Sequence, residues 1–145
     1  MTTIAYRDGV MAADSALNSN GNLDALVTKL FRLDDGRVVG FTGDFAFVGP
    51  AVAWLNGGPK PEIKDRPFGG IVAHPDGRVW LLDTNLILMP VEPGLLSEGS
   101  GHEFAIGAME AGSGAVLAVK IACRRDNSSC EPVNWMQVDN GEYSL

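Results

Sequence analysis

Three Asp-Gly pairs set the frame of this chain. Asp8-Gly9 in YRDGVM, Asp35-Gly36 in LDDGRVV and Asp76-Gly77 in HPDGRVW each sit between runs that favour extended chain. Such a pair folds two strands back on each other, because Asp and Gly both tolerate the left-handed backbone of a tight hairpin turn. The pattern predicts three hairpins: residues 3–6 with 10–13, 27–33 with 37–41, and 69–73 with 79–82. The flanks differ from one to the next, so the likeness is one of turn chemistry and not a repeat.

Helical periodicity enters twice. Phe47, Ala51, Trp54 and Leu55 fall at helical spacing, and Asn-Gly-Gly-Pro at 56–59 ends that segment. Pro50 either sits in the first turn of a short helix or kinks a longer one. AVLAVKIACRR at 115–125 is apolar on nearly every side until its basic end, which predicts an internal helix covered on both faces. PKPEIKDRP is a charged, proline-punctuated loop. Residues 86–91 and the HEFAIG stretch at 102–107 read as further short strands, and PVNWMQVDNGEYSL as a closing strand and turn. Hairpins with helices gathered into two segments give an α+β fold in layers, antiparallel sheets lying under or around helices. At 145 residues the chain reads as one domain, 1–145, able to bury a core without disulfides or metal.

A net charge of −7 argues against nucleic acid or an anionic membrane as partner, since both demand a basic face. Two cysteines, Cys123 and Cys130, with two histidines make a poor metal set, and neither metal nor cofactor is expected. No stretch is long and apolar enough to span a bilayer, and the amino terminus has no signal pattern; the chain reads as a reduced, cytoplasmic protein.

The chain opens MTTIAYRDGVMAADSA. Once Met1 is removed, Thr2 carries a free α-amine beside its own hydroxyl. An α-amine with an ordinary pKa of about 7.7–8.0 can serve as base for that hydroxyl. Small residues after an initiator methionine are also common without any catalytic role. The first hairpin carries Asp14 back toward the amino terminus, as a turn former or as partner for a cation. Lys29, inside VTKLF, is either a solvated edge residue or an inward ammonium in need of a carboxylate such as Asp14. Gly43 in FTGDF either turns the chain or lets backbone N–H groups approach a ligand. Asp126 and Ser129 in RRDNSS are a polar helix exit, or partners for the amine and hydroxyl of Thr2.

Taken in order, these pieces resemble the proteasome β-subunit and HslV peptidase family, the N-terminal-threonine branch of the Ntn hydrolases. The resemblance rests on TT at the start, DGVMAADS, TKLFRLDDGRVVGFTGD, FAIG and RRDNSS, running from Thr2 to Ser129 with a poor match over 58–102. It implies a four-layer αββα sandwich of two antiparallel sheets with reduced helical layers. It also implies a threonine peptidase that cleaves peptide amides through an acyl-enzyme. In it, Thr2 is the nucleophile, Asp14 and Lys29 the charge pair that tunes it, Gly43 the oxyanion donor, and Asp126 and Ser129 the residues that position the amine. Val27, Phe31, Phe41 and Phe45 would line an apolar substrate pocket. The implied partners are a peptide or unfolded-protein substrate, further copies of the chain in a homo-oligomer of stacked rings, and an ATP-dependent unfoldase. Two departures stand out: Ala108 follows FAIG where the family has a serine near the nucleophile, and the helices that build rings are pared down. Alternatives are a stand-alone amidohydrolase on small substrates and a non-catalytic assembly module of the same fold.

Overall fold

The computed structural model describes residues 2–145. Its first hairpin pairs β1 (Thr3–Arg7) with β2 (Val10–Ala13), with Asp8 and Gly9 both at positive φ in the turn. A second, smaller hairpin follows, β3 (Ala16–Ser19) with β4 (Asn22–Leu26), turning at Asn20-Gly21. Next come β5 (Leu30–Arg32) and β6 (Val38–Gly43), then a single 3-10 turn at Phe45–Phe47 that runs into α1 (Val48–Leu55). Pro50 lies in the first turn of α1, where its missing N–H costs nothing. A loop over 56–67 leads to β7 (Phe68–Ala73), β8 (Val79–Leu82), β9 (Leu88–Val91) and β10 (Leu96–Gly99). The chain ends with α2 (His102–Glu110), α3 (Ala115–Arg125), β11 (Asn134–Gln137) and β12 (Tyr143–Ser144).

The strands form two five-stranded sheets, β10-β1-β2-β11-β12 and β5-β6-β7-β8-β9, with β3-β4 as a separate pair. Every pairing described is antiparallel. Alternation of side chains along the strands builds the packing. Ile4, Tyr6, Met11 and Ala13 of one sheet meet Leu30, Val38, Ile71 and Ala73 of the other in a shared buried cluster. The opposite face of the second sheet, through Val39, Phe41 and Val72, packs on Val48, Ala51 and Leu55 of α1. The opposite face of the first, through Ala5 and Ala12, takes Ala105 and Met109 of α2 with Ala118 and Val119 of α3. The fold is thus mixed α+β, with few helices and mostly antiparallel sheets.

Three expectations are corrected. HEFAIG is not a strand but most of α2, where Ala105 and Met109, one helical turn apart, are the buried residues and Phe104 is exposed. Its apolar residues are a single run of three, Phe104 to Ile106, too short to separate a buried strand from a helix. α3 is buried on one face, through Ala115, Ala118, Val119 and Ala122, while Leu117 faces out at 48% exposure. Small alanines let that face lie close to the sheet, so the helix needs no second cover. The strand expected from residue 27 begins at Leu30; the Val27 N–H goes instead to the Ser15 carbonyl at 2.8 Å. No helix among the described residues is long and apolar enough to cross a membrane.

Ile71 is fully buried between the two sheets. Ile71→Ala is expected to lower the unfolding free energy by about 2–5 kcal/mol, read from urea denaturation.

Candidate active site

The first hairpin sets Asp14 opposite the start of β1: the Asp14 N–H donates to the Thr3 carbonyl at 3.1 Å, and the Thr3 N–H returns to Asp14 Oδ1 at 2.9 Å. Asp14 is wholly buried. Its Oδ2 accepts from the Ala16 N–H at 3.0 Å and the Cys130 N–H at 3.2 Å, so backbone donors hold the carboxylate before any cation reaches it. Lys29, in the segment just ahead of β5, points Nζ at Asp14 Oδ1, 2.9 Å away, and at Thr2 Oγ1, 3.0 Å away. Burial pushes the Lys29 ammonium below its usual range, and the Asp14 charge opposes that push. The arrangement places a cation on the Thr2 hydroxyl, which favours its alkoxide.

A second polar string lies beside the first. Ser100 and Ser129 each place Oγ 2.6 Å from Asp126 Oδ2, and Ser129 Oγ is also 2.7 Å from Thr3 Oγ1. A serine hydroxyl has one proton; with Ser129 donating to the carboxylate, Thr3 must donate to Ser129. Burial works to raise the Asp126 pKa, but hydrogen bonds from Ser100, Ser129 and the Ser128 N–H outweigh it and hold the carboxyl below its usual range. Ser100 Oγ also lies 3.3 Å from the Thr2 carbonyl.

Ser100 escaped the sequence reading, and Ala108 was expected where a hydroxyl was wanted. Ala108 instead packs against the α2–α3 cluster on the outer face of the sheet. The signal lay eight residues earlier, in Gly99-Ser100-Gly101. Gly99 has φ +101°, and a Cβ there would fall 2.0 Å from the Thr2 carbonyl oxygen, so only glycine lets β10 pass so close to the start of β1.

Gly43, the last residue of β6, has φ +95°, and a Cβ would sit 2.1 Å from the Pro67 carbonyl oxygen. It lines, with Thr2, Lys29 and Phe45, a cleft of about 630 Å3 whose other walls include Asn18, Ser19, Asp44 and Arg66. Of the four residues expected to line an apolar pocket, Phe45 alone does so. Phe31 and Phe41 turn to the outer face, where Phe41 stacks on Phe68 at 5.4 Å between ring centroids and Phe31 lies 5.8 Å from Phe41. Val27 sits in the irregular segment bonded to Ser15, outside the cleft lining. The cleft wall is accordingly built from other residues than expected, with apolar Ala16, Leu17 and Ala46 beside polar Asn18, Ser19 and Asp44. A second cleft of similar volume, bounded by Arg78, Trp80, Pro90 and Glu92, contains none of these residues.

Two thiols also lie near the Asp14–Lys29 pair. Burial pushes the Cys123 thiol up to about 12 and raises that of Cys130. No cluster of three or more metal-ligating side chains occurs among the described residues. Removal of Met1, on which the amine-base reading depends, lies outside the described residues.

No protein-family model and no curated protein matches the chain. Solved structures do. Thiobacillus denitrificans BPH aligns with a TM-score of 0.70 at 19% sequence identity, over 96% of this chain and 98% of that one. Thiobacillus denitrificans BPH in complex with epoxomicin aligns with the same TM-score and identity over 94% and 98%. The likeness is one of fold.

Lys29→Met is expected to destabilise the protein by about 3 kcal/mol, because it leaves a buried carboxylate uncompensated, and Lys29→Met with Asp14→Asn to recover part of that loss in urea denaturation. Asp126 carries a depressed pKa, so its contribution is present above the ordinary carboxylate range and lost as pH falls through its folded value. Stability should therefore drop below about pH 4, and less steeply in Asp126→Asn, as followed by acid titration of circular dichroism.

Proposed function

We propose that this chain is an N-terminal-threonine peptidase of the proteasome β-subunit and HslV type, and that its packed sheets and helices are a reduced four-layer αββα Ntn sandwich. The observation that supports it most is the buried line from Asp14 through Lys29 Nζ to Thr2 Oγ1, which ends in an open cleft beside Gly43.

With Met1 gone, the Thr2 α-amine takes the hydroxyl proton as Oγ1 attacks the carbonyl carbon of a peptide amide. Lys29 stabilises the oxygen while it loses that proton. The carbonyl oxygen becomes an oxyanion, held by the Gly43 N–H. The α-ammonium then gives its proton to the departing amine as the C–N bond breaks, leaving an ester on Thr2. Water, deprotonated by the same amine, attacks the ester and frees the acid and the Thr2 hydroxyl. Asp126, kept ionised by its serine donors, steadies the ammonium form between these steps. Thiobacillus denitrificans BPH, similar in fold, was solved in complex with epoxomicin, and the same compound is a natural probe for the cleft here.

The test is the intact mass of the protein after incubation with a threonine-reactive β-lactone. Loss of Met1 with one adduct on Thr2 is the expected result, with no adduct in Thr2→Ala and a fall in peptide hydrolysis of at least about 10³-fold. Retained Met1 and no adduct would overturn the peptidase reading in favour of a non-catalytic assembly module.

A further inference from the structure

Two cations line the cleft that holds Thr2. Lys29 is buried and engaged with Asp14 and the Thr2 hydroxyl. Arg66 is of another kind. It stands near the end of the loop over 56–67, its side chain is 63% exposed, and Nη1 donates to Asp44 Oδ2 at 2.6 Å. Its Nε and Nη2 have no partner among the described residues. Asp44 is used on both oxygens, since Oδ1 also accepts the Ala46 N–H at 2.9 Å and caps the 3-10 turn. The carboxylate is thus committed to the fold, while the guanidinium keeps unused donors at the cleft.

A guanidinium presents five N–H groups in one plane and can hold a second carboxylate without releasing the first. The chain as a whole carries −7, so its long-range field repels acidic ligands, and any preference for them must arise from a local cation. Phe45, Ala46 and Pro67 beside Arg66 bring no further charge.

We propose that Arg66 binds a carboxylate of the substrate in this cleft, so that the enzyme favours peptides with an acidic side chain next to the amide it cleaves. The proposal rests on the peptidase reading and names the substrate class of that same site. Asp44 sets the strength of the preference by offsetting part of the guanidinium charge.

The experiment compares kcat/KM for two fluorogenic peptides that differ only in Glu or Leu before the cleaved amide. The same pair is also read as protection of Thr2 against β-lactone labelling, which needs no turnover. The wild type should favour Glu, and the preference should shrink as salt is raised. Arg66→Gln should lower the Glu/Leu ratio by about three- to tenfold. Asp44→Asn keeps an acceptor for Ala46 and removes the negative charge that offsets Arg66, so the ratio should rise. An ion pair with a purely structural role would shift both peptides together and leave the ratio unmoved; that result, or a wild-type preference for Leu, overturns the proposal alone. A wild type with neither adduct nor turnover overturns the peptidase reading and this one with it.

Discussion

A carboxylate with no exposure to water has to be surrounded by donors, and the geometry around Thr2 follows from how Asp14 meets that demand. Its two oxygens take the Thr3 and Ala16 N–H groups, the Cys130 N–H and the Lys29 ammonium. These donors come from the start of β1, the start of β3, the exit of α3 and the approach to β5. Desolvating both ions is costly, and a pair of this kind persists only where every lone pair is answered. Here the backbone supplies most of the answer, which fixes Lys29 Nζ where it also reaches Thr2 Oγ1. The same burial weakens the hold of Lys29 on its proton. One interaction therefore registers the two sheets against each other and sets the electrostatics of the threonine between them.

The string from Thr3 through Ser129 to Asp126, joined by Ser100, complements it. Asp126 closes the end of α3, accepting from hydroxyls on two other segments. Proton counting gives that string a single direction, toward the carboxylate. A charged group kept ionised at the exit of a helix is thereby tied to the first strand through hydroxyls that cannot reverse without breaking a bond.

The three Asp-Gly hairpins were legible in the sequence because their turns are local, two residues long at Asp8-Gly9 and three at 34–36 and 75–77. Asn20-Gly21 carries the same signal for β3–β4, though its strands are polar and lack the flanking apolar runs that marked the others. Asp14, Lys29, Asp126 and Ser129 could be named, and Asp14 offered as the partner of Lys29; how the two groups join could not be read, because it depends on contacts spanning more than a hundred positions, such as Thr3 with Ser129 and Asp14 with Cys130. The aromatic pocket misled for a definite reason. Alternation counted from Lys29 puts Phe31 on its face, yet Lys29 precedes the regular strand, and Lys29 and Leu30 both reach the opposing sheet. Period 2 holds only where the ladder is regular. Ser100 was missed because the serine was sought after FAIG, where helix α2 carries the chain away from Thr2.

The bonds that complete the cluster run from residues 3 and 14 to residues 129 and 130. A chain emerging from the ribosome thus holds its threonine and lysine early, but not the donors that arrange them. Until residue 130 has emerged, the Asp14 carboxylate lacks a ligand and the Thr3 hydroxyl has no serine to meet. Contacts of such sequence separation form late, after most of the loop entropy has been spent. The complete cluster therefore waits for the last quarter of the chain, and its closure coincides with that of the whole fold.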